Sequence, residues 1–150
     1  MKPVLKVYRE THDAILPKYS TESSACFDIH AYLPFAPKSL LLRLESRVLV
    51  PTGLIFDIPS GYSLRLHPRS GLALKQGITL VNAEGVVDED YTQPVSVILL
   101  NTSKEDVVIN HGDRICQAEL VLDTRCTIEE IQSQPKIKTN RTGGFGSTGK

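Results

Sequence analysis

The sequence contains no tryptophan, only three cysteines in 150 residues and no net charge, since 17 basic and 17 acidic side chains balance. The cysteines (Cys26, Cys116 and Cys126) include no CxxC pair, which argues against a disulfide framework or a structural zinc site. We expect each to be a small buried hydrophobe. A neutral chain also lacks the broad basic surface that binding to a nucleic-acid polymer requires.

Long apolar runs are absent too. No stretch approaches the roughly 20 apolar residues that span a bilayer, and residues 1–10 alternate and carry charges, unlike a signal peptide. We therefore expect a cytoplasmic protein that does not bind membranes. Its length suits one ordinary domain with a proper core.

The residue pattern favours strands almost everywhere. Residues 62–67 alternate apolar and polar side chains, as in a half-buried strand. Similar runs, separated by proline, glycine, asparagine and aspartate, lie at 4–8, 27–32, 40–44, 47–50, 54–58, 78–81, 95–100, 107–109, 115–122 and 127–131. About ten short strands predict an all-β sandwich, jelly roll or barrel.

Two segments depart from the strand pattern. Residues 69–77 predict one short helix, with Ser70 as N-cap and Gly77 just past its end. Residues 140–150 contain four glycines and one large apolar side chain, Phe145, and cannot form a core element. We expect a single domain over residues 1–139 and a flexible tail over 140–150.

Polar residues that suit phosphate lie at the start of the predicted helix, in Pro68–Ala73. Arg69 and Ser70 precede free helix N–H groups, and together these groups form a phosphate-binding arrangement. An ordinary helix cap beside an exposed arginine is the alternative.

A second candidate segment is Asn82–Tyr91. Gly85 favours a tight hairpin, and the Asn82 amide can donate and accept hydrogen bonds at once, which suits a planar imide base. Three acids follow, Asp88, Glu89 and Asp90, any of which could activate a water beside bound phosphate. A solvated acidic turn is the alternative, and the residues alone do not choose among the three.

Two further segments complete the set. Within Gly112–Gln117, Gly112 and Asp113 predict a turn, Arg114 leads into a strand, and Gln117 is a neutral donor that could contact phosphate. In Arg141–Gly149, glycines allow backbone N–H groups to approach phosphate closely, and Phe145 could stack on a base. A disordered glycine-rich tail is the alternative.

Together with Ser24–Ile29, these four segments resemble the five ordered motifs of the trimeric, all-β dUTPase family, from about residue 20 to the C-terminus. The resemblance implies a jelly-roll-like β-barrel and a homotrimer in which the tail of one chain closes over a neighbour's active site. It implies hydrolysis of dUTP to dUMP and pyrophosphate. That reaction limits uracil incorporation into DNA and supplies dUMP for dTMP synthesis.

The resemblance also implies residue roles. Asp88 is the expected general base, and Mg²⁺ is the expected cofactor, held by the triphosphate and, through water, by Asp28. Uracil is expected against Asn82 and the backbone of the segment that includes Gly85 and Val87, with Tyr91 against deoxyribose. Contacts to the rest of the substrate are expected from Arg69, Ser70, Gly71, Gln117, Arg141, Phe145, Gly146, Ser147 and Thr148.

Three other functions are compatible with the fold. A dCTP deaminase, from the same superfamily, would need a different catalytic acid after the Arg69–Ser70 element. A dUTPase-fold protein that acts mainly through protein partners would not need all the expected catalytic positions, which this sequence retains. A capsid or carbohydrate-binding jelly roll would not carry this set of polar residues.

Overall fold

The protein is described by a computed structural model that covers residues 2–140 and residue 143. One short helix and eleven strands make up its regular structure in those residues. In chain order they are β1 (Lys6–Arg9), β2 (Phe27–His30), β3 (Ser39–Leu42), β4 (Arg47–Pro51), β5 (Leu54–Asp57), β6 (Tyr62–His67), α1 (Ser70–Gln76), β7 (Ile78–Leu80), β8 (Gly85–Val87), β9 (Ser96–Asn101), β10 (Val107–Asn110) and β11 (Arg114–Leu122).

Every pairing between these strands is antiparallel. The larger sheets have the strand orders β2-β11-β6-β8 and β4-β9-β7, and two pairs, β1-β5 and β10-β3, complete the barrel. Alternate side chains point inward, so that β9 reads half-buried then buried along its length. The result is the jelly-roll-like all-β fold that the sequence predicts.

The strand predictions are confirmed for ten of the eleven runs, with shifts of one or two residues at their ends. Residues 127–131 form no strand, because they have left the barrel and Ile128 is 94% exposed. The three-residue strand β8 was not predicted, since it is too short to show a period. In the described residues, no helix is both long and apolar enough to cross a membrane.

The helix ends as predicted but begins one residue early. Gly77 adopts the left-handed conformation (φ 65°) and its N–H bonds the carbonyl of Ala73 at 3.2 Å. The N-cap residue is Arg69, in extended conformation, and it makes no side-chain cap hydrogen bond. Ser70 is already helical, so the prediction of Ser70 as N-cap is wrong.

The cysteines differ in burial. Cys116 lies in the core, where burial raises the pKa of its thiol to about 12, as expected of a small hydrophobe. Cys26 is half-buried, and Cys126 is exposed because it follows the last strand. The prediction that all three are buried is therefore wrong for Cys126 and only partly met by Cys26.

The side chain of Asn101 is fully enclosed in this core and hydrogen-bonded through both its nitrogen and its oxygen. The Asn101 amide nitrogen donates to the carbonyls of Leu42 (3.1 Å) and Glu105 (2.8 Å), and its oxygen accepts the N–H of Ser103 (2.9 Å). Three backbone groups near the end of β9 thus depend on one side chain.

Replacing Asn101 by alanine should lower the free energy of unfolding by at least about 2 kcal/mol, because each backbone group left unsatisfied costs about 1–3 kcal/mol. Urea unfolding at equal protein concentration measures the change. Asn110→Ala is the matched control: Asn110 is exposed, so its loss should change stability by about 0.5 kcal/mol or less. Equal effects of the two substitutions would contradict the assignment.

Candidate active site

Three strands of the four-stranded sheet bring distant motifs into one row. Gln117 on β11 lies directly opposite Asp28 on β2 and, on its other side, opposite His67 on β6. Residues on directly opposed positions of neighbouring strands point to the same face. Because Arg69 follows His67 by two residues, three motifs meet at this end of the sheet. They are Ser24–Ile29, Pro68–Ala73 and Gly112–Gln117.

Asp28 is the centre of this cluster. Its carboxylate accepts hydrogen bonds from Nε of Arg69 (2.9 Å), Nη1 of Arg114 (3.2 Å) and the hydroxyl of Ser20 (3.3 Å). The carboxylate is only 14% exposed, so its charge depends on these partners. Two guanidinium groups around one carboxylate leave one net positive charge at the surface.

Arg69 is aimed by these contacts. Its Nε is bound to Asp28 and its Nη1 donates to the carbonyl of Arg114 at 3.4 Å. Within the described residues its Nη2 has no hydrogen-bond partner and remains available to an anion. The sequence placed Asp113 and Arg114 in structural roles. The structure agrees for Asp113, which accepts the N–H of Asn110 at 2.7 Å, whereas Arg114 bonds the Asp28 carboxylate within the site.

Gln117, Ser70 and Gly71 lie beside Arg69. The Gln117 amide nitrogen donates to the carbonyl of Pro68 at 3.0 Å, which fastens the entry of α1 to β11. An amide nitrogen carries two N–H groups, so one is left for a ligand. Ser70 and Gly71 are exposed in the first turn of α1, and space around Gly71 is open.

A cavity of about 170 Å³ lies between the two larger sheets, about the size for one ring rather than a whole nucleotide. The chain leaves the three-stranded sheet after β7, joins the other sheet as β8, and returns as β9. The cavity is lined by Leu66, Asn82, Gly85, Val86, Val87, Asp88, Tyr91, Val95 and Ser96. Within the Asn82–Tyr91 segment, the four residues that the sequence placed near the base or its sugar (Asn82, Gly85, Val87 and Tyr91) are in this lining, and so is Asp88.

The expected hairpin around Gly85 is not present, because β7 and β8 belong to different sheets. Gly85 is instead the first residue of β8 and pairs with Leu66. A Cβ at Gly85 would lie 3.2 Å from Cβ of Leu66 and 3.4 Å from the amide nitrogen of Asn82. Glycine allows close approach across the cavity wall here, which is a different physical reason from a turn.

The three adjacent acids have different surroundings. Asp88 is exposed and lines the cavity, and its carbonyl accepts the N–H of Tyr91 at 3.1 Å. Glu89 points away from the cavity, where its carboxylate accepts the N–H of Gly61 and faces Arg125 at 3.5 Å. Asp90 is exposed and does not line the cavity. Geometry therefore separates residues that the sequence could not rank.

A magnesium ion fits this site only in an indirect role. No group of three or more histidines, cysteines or carboxylates that could hold a metal occurs in the part of the chain that the structure describes. Mg²⁺ does not require such a cage, since it usually keeps several waters and binds one or two carboxylates plus substrate phosphates. The Asp28 carboxylate has about four acceptor positions and three are in use, which leaves one for a water of the hydrated ion. The two guanidinium groups bound to the same carboxylate repel a dication and disfavour its direct contact with Asp28.

Sequence reasoning missed several residues of the site. Leu66, Val86, Val95 and Ser96 also line the cavity, and Arg114 supports Asp28. Only the pairing of β6 with β8 reveals the first two, and no local pattern signals that pairing. The predicted contacts of Arg141, Phe145, Gly146, Ser147 and Thr148 lie outside the described residues.

Comparison with known proteins agrees with this geometry. A family model described as dUTPase matches residues 12–149. The chain is similar to deoxyuridine 5'-triphosphate nucleotidohydrolases from Caulobacter vibrioides (42% identical over 138 residues, 91% of this chain and 87% of that protein) and from Hydrogenobaculum sp. (39% over 150 residues, 99% of both).

Solved structures show the same fold. A mutant dUTPase of Staphylococcus bacteriophage 80alpha, with dUpNHpp, matches with a TM-score of 0.86 and 18% identity over 99% of both chains. A mutant dUTPase from phage phi11 of S. aureus, known for the coordination of a structural Mg(II) ion, matches with a TM-score of 0.78 and 18% identity over 89% of this chain and 100% of that one. Because the family model spans nearly the whole sequence and the bacterial relatives are about 40% identical over at least nine tenths of it, the chain belongs to the dUTPase family.

Proposed function

We propose that the protein hydrolyses dUTP to dUMP and pyrophosphate, with Asp88 as the general base. The observation that carries the assignment of the base is the separation of the acidic run. Asp88 alone of the three acids lines the ring-sized cavity, whereas Glu89 is bound elsewhere and Asp90 lies outside the lining. The assignment of the reaction rests on the membership of the chain in the dUTPase family.

The cavity suits uracil. Asn82 in its lining offers an amide donor and acceptor to the imide edge of the base, and the neighbouring backbone of Gly85 and Val87 lines the same cavity. Tyr91 lies at the mouth, where its ring packs against deoxyribose and leaves no room for a ribose 2′-OH. The hydroxyl of Tyr91 donates to the carbonyl of Pro94 at 3.3 Å, which holds the ring in place.

The triphosphate lies toward the Asp28 cluster. Free Nη2 of Arg69, the second N–H of Gln117 and the exposed first turn at Ser70 and Gly71 are donors to its oxygens. Two arginines around Asp28 supply a fixed excess of positive charge. Bound Mg²⁺ would neutralise further charge on the triphosphate, and the remaining acceptor position of Asp28 would hold it through a water.

In the chemical step, Asp88 accepts a proton from a water whose oxygen forms a bond to the α-phosphorus. The bond from that phosphorus to the bridging oxygen breaks, and pyrophosphate leaves with the electron pair. A carboxylate within reach of the attacking water can accept this proton as a general base. In the same proposal, the phosphates are contacted by the tail residues Arg141, Gly146, Ser147 and Thr148. Phe145 stacks on uracil.

The first test is substrate selectivity. Pyrophosphate release from dUTP, dCTP, dTTP and UTP is measured with and without Mg²⁺. We expect rapid Mg²⁺-dependent turnover of dUTP alone, because the cavity admits a small imide base and Tyr91 excludes ribose. Ammonia release from dCTP would assign the protein to the deaminases instead.

The second test concerns the base. Asp88→Asn keeps the size of the side chain but cannot accept the proton, so kcat should fall by about 10²–10⁴-fold while dUTP still binds. Binding is measured with a non-hydrolysable dUTP analogue. Asp90→Asn, two residues away and outside the cavity lining, is the matched control and should keep its kcat. A near-normal kcat for Asp88→Asn would show that another group is the base.

An exposed apolar face supports assembly with copies of the same chain. On the three-stranded sheet, Leu49 of β4 lies opposite Ile98 of β9, whose carbonyl accepts the N–H of Val81. Leu49 is 61% exposed and Val81 45% exposed. Contiguous exposed apolar rows mark interfaces, and this row adjoins Asn82 at the cavity rim. A second copy packed there, within a homotrimer, brings its tail (residues 140–150) to this cavity.

A complementation experiment tests the shared site. Asp88→Asn chains and chains lacking residues 140–150 should each be nearly inactive, while both fold. After joint refolding in equal amounts, about a quarter of the sites should regain activity, because base and tail come from different copies in a closed ring. Mixed samples with no activity above that of the separate variants would show that each tail serves its own chain.

A further inference from the structure

The mechanism above gives no role to Glu89, although its side chain makes the most specific contacts of the acidic run. Its carboxylate accepts the N–H of Gly61 with one oxygen and faces Nη2 of Arg125 with the other. Gly61 lies 28 residues earlier, in the turn between β5 and β6. The segment that carries Asp88 is thereby fastened to a part of the barrel distant in sequence.

Gly61 is itself firmly held. Its carbonyl accepts the N–H of Asp123 at 2.8 Å, and the turn is closed by the N–H of Tyr62 bonding the carbonyl of Pro59 at 3.1 Å. The carboxylate of Asp123 accepts bonds from the Ser63 hydroxyl (2.8 Å) and from Arg65 (3.1 Å). The Ser63 hydroxyl, with help from the arginine, holds the pKa of Asp123 below its ordinary value. The backbone of Gly61 is therefore held in place by hydrogen bonds to the barrel.

The two contacts of Glu89 differ in how strongly they hold its side chain. Arg125 is 78% exposed, and ion pairs of such side chains contribute little. The bond to the Gly61 N–H is partly buried and joins a charged acceptor to a backbone donor, which is the stronger kind of hydrogen bond. The hydrogen bond that Glu89 accepts from Gly61 therefore holds its side chain more strongly than the ion pair with Arg125.

We propose that Glu89 is a positioning residue for the hydrolysis. This proposal rests on the proposed function, in which Asp88 is the general base. Its bond to Gly61 holds the Asp88–Tyr91 turn, in which the N–H of Tyr91 bonds the carbonyl of Asp88. Residue 88 and residue 89 point in different directions, so fixing one carboxylate to the barrel aims the other at the cavity. The strand part of the cavity wall, Gly85–Val87, is held by its pairing with β6 and does not depend on this bond.

The test compares Glu89→Ala, Glu89→Gln and Asp90→Ala in the full-length protein. Misplacement of a catalytic group by about 1 Å costs about 10²-fold. Glu89→Ala should therefore lower kcat by about 10- to 100-fold while KM for dUTP changes by about threefold or less. Glu89→Gln retains an acceptor for the Gly61 N–H and should restore kcat to within about threefold of the unmodified protein. Asp90→Ala, which removes the neighbouring acid, should have normal kinetics.

Hydrogen exchange of the Gly61 amide gives a readout that does not depend on catalysis. Exchange should become faster in Glu89→Ala, relative to Glu89→Gln, and this comparison also serves if the alanine variant is too unstable for kinetics. Normal kcat in Glu89→Ala, or equal loss in the alanine and glutamine variants, would overturn the proposal. Failure of the Asp88 assignment would show separately, as full activity of Asp88→Asn.

Discussion

The carboxylate of Asp28, shared by Arg69 and Arg114, is the interaction on which the phosphate end of the site depends. It joins β2, the entry of α1 and the start of β11 at one point. A carboxylate that is only 14% exposed needs such partners, and Arg69 is the less exposed of the two. Because two cations share one anion, the cluster keeps a net positive charge in fixed geometry. A preorganised charge of this kind stabilises a triphosphate without reorganisation when the substrate binds.

The cavity proposed for the uracil base depends on the close approach of the β8 backbone to β6. One row of residues crosses the whole four-stranded sheet, from Phe27 through Ala118 and Leu66 to Gly85. The last position has no side chain, since a Cβ would press on Leu66 and Asn82. The cavity thus results from the junction of two sheets, where a short excursion of the chain forms β8. The acids that follow β8 have separate tasks: Asp88 faces the cavity, and Glu89 fastens the turn to Gly61.

Much of the fold could be predicted from local pattern. Ten strands and the left-handed Gly77 follow from alternation and from glycine's conformational freedom, which are properties of short windows. The errors share one cause. Residues 127–131 have strand-forming composition but no partner strand in the described residues, while β8 has a weak pattern but pairs with β6. Pairing is a long-range property, and composition does not report it.

The amino-acid sequence by itself determined the fold class and the family, because both are expressed in short ordered motifs. It also predicted which residues contact the substrate, a prediction that belongs to the proposed function. The residue pattern left three adjacent acids open, and the tertiary structure shows that Asp88 lines the cavity while Glu89 bonds Gly61, a residue of another turn. It also decided that Gly85 serves close packing instead of a turn, because β7 and β8 enter different sheets. Side-chain direction follows from strand register, and register is set by partners far away in the chain.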